Sequence, residues 1–141
     1  MLTWIFDIGL LVVAARVVWI WRKTVYVPKT RNVCVLAWDS GQGVEILGAT
    51  PSTLDATRGD EIFWDVLCNV ADLSVSIDFK DSPLESPNGP PKTTTRKHGG
   101  GKTKPDKIKK SIPNRTCKYT ITVGNAVLDP EIRIRDEEQC P

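Results

Sequence analysis

The feature that most constrains this chain is a period-two alternation of apolar and polar side chains that returns in several places. Ile62, Trp64 and Val66 share one face of an extended run. Leu73, Val75, Ile77 and Phe79 alternate with Ser74, Ser76, Asp78 and Lys80, and Cys117, Tyr119, Ile121 and Val123 alternate with Lys118, Thr120 and Thr122. Near the end, Ile132 and Ile134 point one way and Arg133 and Arg135 the other. Such segments are strands with one buried face. Gly59-Asp60, a turn signal between Pro51–Thr57 and Glu61–Val66, predicts a β-hairpin onto which the later strands pack as inner faces of a sandwich.

The rest of the chain extends this pattern. Thr24–Val27 and Asn32–Trp38 are β-rich runs divided by Pro28, and Asp39–Gly43 is a loop leading into Val44–Leu47. Gly124-Asn125 turns the chain again. The expectation is an all-β, antiparallel sandwich of about eight strands with meander or Greek-key pairing, which 141 residues accommodate as one domain over 24–141. Between Asp81 and Lys107 the alternation stops, and five prolines and four glycines replace it. That composition predicts a disordered insertion at about 81–107.

Leu2 to Trp21 is apolar apart from Thr3, Asp7 and Arg16. Twenty helical residues span about 30 Å, the thickness of a bilayer core, so residues 1–23 are expected to form a retained transmembrane helix. Trp4 at one end and Trp19 and Trp21 at the other fit the two membrane interfaces, and Arg22-Lys23 form a charged stop. No basic residue precedes the apolar run and no small-x-small site follows it, which disfavours a cleaved signal peptide. Asp7 and Arg16 each cost roughly 2.5 to 3.5 kcal/mol at mid-membrane. They lie on opposite sides of the helix, so they cannot pair within it and are read as snorkelling to opposite surfaces. The alternatives are charges that face a bundle interior or pore, and a start codon placed upstream of a soluble domain. Arg22, Lys23, Lys29 and Arg31 follow the helix and no Lys or Arg precedes it, which puts the C-terminal domain in the cytoplasm, single-pass, with its cysteines reduced.

Taken together, the later strands resemble a family, the cupredoxin-like β-sandwich. Pro51-Ser52-Thr53-Leu54, then Gly59-Asp60, then Ile62 and Trp64 are similar to its opening strand, glycine turn and Trp-bearing strand. Leu73-Ser74-Val75-Ser76-Ile77 and Pro113 to Tyr119 are similar to its later strands. The stretches Tyr119–Val123 and Leu128–Ile132 also resemble small uncharacterised bacterial domains of this class that lack copper. The resemblance covers about residues 44 to 135. It puts the first copper-binding His near Leu73 and the copper-binding Cys near Ile121. A blue-copper centre needs two His, one Cys and a weak axial ligand such as Met, whereas this chain has one His, His98, and one Met, Met1. No cofactor is therefore expected.

Other constellations fail on their context. Gly99-Gly100-Gly101-Lys102-Thr103 lacks the first glycine, preceding strand and following helix of a phosphate-binding loop. His98 has no strand or helix to hold it near a nucleophile. Cys34, Cys68, Cys117 and Cys140 have no C-x-x-C spacing and are expected to be unbridged. Residues 92 to 110 hold eight cations, Lys92, Arg96, Lys97, Lys102, Lys104, Lys107, Lys109 and Lys110, against the single acid Asp106. That run fits a solvated loop or contact with anionic lipid heads, and its lack of aromatics disfavours single-strand nucleic-acid binding. Two functions remain. One is a non-enzymatic, membrane-anchored interaction or sensor module with a protein partner. The other is an oligomeric membrane effector, a homo-oligomer through the N-terminal helix, with Asp7 or Arg16 lining a pore and the sandwich driving assembly or gating.

Overall fold

The computed structural model describes residues 26–86, 89–97 and 101–136. Two mixed sheets face each other and no helix is present among the described residues. In chain order the strands are β1 (Thr30–Asp39), β2 (Val44–Thr50), β3 (Thr53–Ala56), β4 (Glu61–Cys68), β5 (Ser74–Phe79), β6 (Lys92–Thr94), β7 (Gly101–Lys102), β8 (Asp106–Lys107), β9 (Arg115–Val123), β10 (Ala126–Leu128) and β11 (Glu131–Ile134). The first sheet runs β2-β1-β4-β7, with β8 also on β4; the second runs β3-β11-β9-β5-β6, with β10 on β9.

The alternating residues form the core. Ile62, Trp64 and Val66 are fully buried from the first sheet, and Val75, Ile77, Ile121, Val123, Ile132 and Ile134 meet them from the second. At the centre the Trp64 ring stands edge-on to Tyr119, with centroids 5.6 Å apart, and the Tyr119 and Phe79 rings lie 5.0 Å apart. Trp64 Nε1–H donates to the Tyr119 hydroxyl at 3.2 Å, so the two polar atoms these aromatics bring inside satisfy each other. Burial pushes the Tyr119 phenol up to about 12, against a smaller opposing effect of the Trp64 hydrogen bond.

The expected hairpin across Gly59-Asp60 is not formed. β3 pairs with β11 in the second sheet and β4 with β1 in the first, both in parallel. The turn therefore carries the chain across the sandwich from one sheet to the other. Alternation fixes which side chains face inward but not which strand lies alongside, and it reads the same for a hairpin as for a crossover. For the same reason the sheets are mixed rather than antiparallel, and the short added pieces β6, β7, β8 and β10 raise the strand count to eleven among the described residues.

The expected disordered insertion at about 81–107 is also corrected. Its described residues contribute β6 to the edge of the second sheet and β7 and β8 to the edge of the first. Leu84, buried in the core opposite Ile108, is its one large apolar anchor, and hydrogen bonds hold the rest in place. Buried Thr103 accepts the Trp64 N–H on its hydroxyl at 2.9 Å and donates its own N–H to the Trp64 carbonyl at 2.9 Å. Buried Thr95 does the same to Leu73 at 3.0 and 2.9 Å. Gly101 is required between them, because a Cβ there would stand 2.9 Å from the Thr94 carbonyl and 3.2 Å from that of Val66. The glycine-lysine-threonine run thus closes the side of the sandwich.

Candidate functional site

Three regions of the surface can be compared. The first is the corner where the chain enters the sandwich. Asp60 is fully buried, and its carboxylate accepts from the Tyr26 hydroxyl, the Lys29 N–H at 2.9 Å, the Arg31 Nε–H at 2.7 Å and the Thr57 N–H at 3.0 Å. Its backbone carbonyl takes the Ile108 N–H at 2.9 Å. Burial alone would raise the Asp60 pKa, but the donors, led by Tyr26 and the two backbone N–H groups, outweigh it and hold the carboxyl below its ordinary range. Tyr26 is pushed up to about 12 by burial and by its hydrogen bond to that carboxylate. The corner fastens residues 26–31 to the crossover turn, so it is a structural clamp that leaves the carboxylate no free lone pair for chemistry.

The second region is a groove of about 690 Å³ beside β9. It arises because β11 pairs with Arg115–Lys118 and β10 with Ile121–Val123, leaving Tyr119 and Thr120 between them. Asp78, Lys80, Lys118, Asp129 and Glu131 line it. The acids are engaged locally: Asp129 accepts from the Thr120 hydroxyl at 2.8 Å and Glu131 from that of Thr53 at 3.3 Å. No single sign of charge dominates the groove.

The third region is the outer face of the first sheet, which sequence reasoning missed. Pairing in register puts Asn32, Cys34, Leu36 and Trp38 of β1 beside Phe63, Asp65 and Leu67 of β4 on the side away from the core. Leu36 is 47% exposed, Trp38 53%, Leu67 39% and Leu47 of β2 57%. These are four of the six large apolar side chains that the described residues leave exposed. A signal was present: Val33 to Trp38 is apolar at every position, so one face of this strand had to carry apolar side chains outward unless another layer covered it. Asn69 anchors the far end of the face, accepting the Asp39 N–H at 2.7 Å and donating to the Asp39 carbonyl at 2.8 Å.

The sequence-predicted cations Lys92, Arg96, Lys97, Lys102, Lys104, Lys107, Lys109 and Lys110 are all exposed. Register brings Lys102 opposite Asp65 and Lys107 opposite Glu61, on the margin of the outer face of the first sheet. The Lys102 ammonium stands 5.9 Å from the centroid of the Phe63 ring. Lys92 belongs to the edge of the second sheet. Asp7, Arg16, Trp4, Trp19, Trp21, Arg22 and Lys23 lie outside the described residues. Among the described residues, no helix is long and apolar enough to cross a membrane.

The residues present do not fit a blue-copper centre. Ile121 is fully buried among apolar neighbours and Leu73 packs half-buried against the core, so neither position offers a donor atom. His98 and Met1 lie outside the described residues. Among the described residues no three His, Cys, Asp or Glu side chains gather where they could hold a metal ion. Cys34, Cys68 and Cys117 are unbridged.

No family model matches the chain, and no curated protein sequence matches it. Among solved structures it is similar to the McoA multicopper oxidase from the hyperthermophile Aquifex aeolicus, at 9% identity and a TM-score of 0.37. That match covers 77% of this chain and 30% of the oxidase, so the chain spans less than a third of the protein it resembles.

Proposed function

We propose that this chain is a non-enzymatic binding module without metal, a cupredoxin-like sandwich that its N-terminal segment holds at a membrane. The observation that carries the proposal is the outer face of the first sheet, where Leu36, Trp38, Leu47 and Leu67 stand 39 to 57% exposed on neighbouring strands. A large apolar surface of this kind on a small domain is the mark of a face that meets something. The Asp60 corner supports the same reading. It ties Tyr26 and Lys29 to the sandwich, so the first described residues are held beside the start of the first strand.

Membrane fractionation with oligomer sizing tests the proposal. The full chain should stay with membranes through salt and alkaline washes and run as a monomer or dimer after cross-linking in detergent. Asp7→Asn and Arg16→Leu should both be tolerated, since each removes an unfavourable transfer into hydrocarbon. A chain recovered wholly in the soluble fraction refutes the anchoring. A closed ring of copies that either substitution dissolves transfers the function to the oligomeric effector.

A further inference from the structure

We infer that the outer face of the first sheet is the interface of a homodimer in which two copies of this chain pack these faces together, an inference that rests on the reading of that face as a binding surface. Shape and size come first. From Thr30 to Trp38 the face runs about 26 Å, and from β2 across β1 and β4 to β7 and β8 it spans about 19 Å. That is about 500 Å² per copy in projection and about 1,000 Å² per pair, the size at which specific interfaces begin. A sheet face is flat, and what packs on it at about 10 Å is another sheet with an apolar face. The second sheet turns Ser74, Asp78, Thr116 and Lys118 outward, so it cannot serve. Leu36, Trp38, Leu47 and Leu67 on a second copy can.

Charge points the same way. A two-fold interface needs a surface that complements itself. Lys107 lies opposite Glu61 and Lys102 opposite Asp65, so the β4 side is close to neutral and selects neither an anionic nor a cationic partner. Glu45 is the acid left over, exposed at the β2 margin beside Trp38. At the opposite margin Lys102 is exposed, with its ammonium 5.9 Å from the centroid of the Phe63 ring. Each copy therefore offers an acid at one margin and a cation at the other.

Register shows how two such faces meet. Leu36 and Leu67 are side by side on β1 and β4. Gly48 lies beside Leu36 on β2, where an added Cβ would meet nothing within 4 Å, so the face has a hollow as well as knobs. A two-fold axis through the Leu36 and Leu67 pair, at about 45° to the strands, crosses the two sheets near a right angle, one of the two ways in which sheets stack. It lays the corner formed by Trp38 and Glu45 of each copy over Lys102 of the other. There the ammonium gains a carboxylate and an indole ring, and the apolar side chains close on one another between the two contacts.

Sedimentation of the full chain in mild detergent tests the inference. The wild type should sediment as two copies. Trp38→Glu and Leu67→Lys, both changes at the surface, should each raise the dimer dissociation constant at least about thirtyfold, the scale of an anchor buried at an interface. Glu45→Lys and Lys102→Glu should each raise it about tenfold by setting like charges against each other. Mixed together, the E45K and K102E chains should regain wild-type affinity for each other, because both contacts between the copies then join opposite charges; misfolding of either chain could not give that result. A dimer that W38E and L67K leave intact is held elsewhere and overturns the inference, and mixing without rescue overturns the packing of Glu45 on Lys102. A wild-type monomer in which p-benzoylphenylalanine in place of Leu36 cross-links to a different protein in cells overturns the dimer and leaves the face a binding surface. A monomer with no cross-link there overturns both.

Discussion

The two sheets share one core but present opposite outer faces. The second sheet turns serine, threonine and charged side chains to the outside along β5 and β9, with Val127 its exposed large apolar residue. The first sheet turns Leu36, Trp38 and Leu67 outward from the strands that hold Val33, Val35 and Trp64 inside. Inward packing therefore cannot explain the outward residues, because the core is complete without them. The difference separates what the fold needs from what the first sheet's surface is for.

The comparison is sharpest where the effects are largest. Trp64→Ala removes the centre of the core and should cost about 4 kcal/mol by chemical denaturation, the range for large-to-small changes in a core. A loss under about 1 kcal/mol would mean that the sheets are not joined through Trp64. Asp60→Ala should cost about 3 kcal/mol, since it removes the buried carboxylate that accepts from the Tyr26 hydroxyl, the Lys29 and Thr57 N–H groups and the half-buried Arg31 guanidinium. Unchanged stability would show that the corner does not clamp the chain.

Alkaline pH should act on the same core. The Tyr119 phenol is raised from 10.0 to about 12, so the fold favours its protonated form. Its contribution is fully present below pH 10 and is lost as pH rises from about 10 towards 12, amounting to about 2 to 3 kcal/mol. Tyr26 loses its contribution over the same window. At the acid end the sign reverses: the depressed Asp60 carboxyl stabilises above its unfolded value near about 4 and ceases to do so as pH falls through its folded value. Tyr119→Phe should make the alkaline limb shallower, leaving the part that Tyr26 supplies, and leave the acid limb unchanged. Thr103→Val, which removes the hydroxyl that accepts the Trp64 N–H, should cost about 1 to 2 kcal/mol.

How far the sequence shows this follows from what each pattern encodes. Alternation at Ile62–Val66, Val75–Ile77 and Cys117–Val123 identifies the core faces because burial acts on each strand separately. It is silent on pairing, which is why the Gly59-Asp60 crossover resembles a hairpin. The segment from Asp81 to Lys107 looks coreless because it offers the core a single large apolar side chain, Leu84, and is otherwise held by the hydrogen bonds of Thr95 and Thr103, and threonine is equally common in loops. The eight cations are legible as a run, but only the register of β7 and β8 on β4 puts Lys102 and Lys107 beside the apolar face. Trp38 escapes notice because an apolar strand suggests burial on both sides, and only the second sheet's position on one side leaves the other open.

At the small end of the scale, Trp38→Ser and Val127→Ser should each change stability by no more than about 0.5 kcal/mol, since both are surface residues. They are expected to differ in what they meet, and hydroxyl-radical footprinting of the full chain in intact cells reads that difference. Leu47 and Val127 are equally exposed, at 57% each, on opposite sheets. Leu47, Leu36 and Trp38 should be protected from oxidation while Val127 is oxidised as its exposure dictates. Equal oxidation of Leu47 and Val127 would contradict the assignment of the first sheet as the working face.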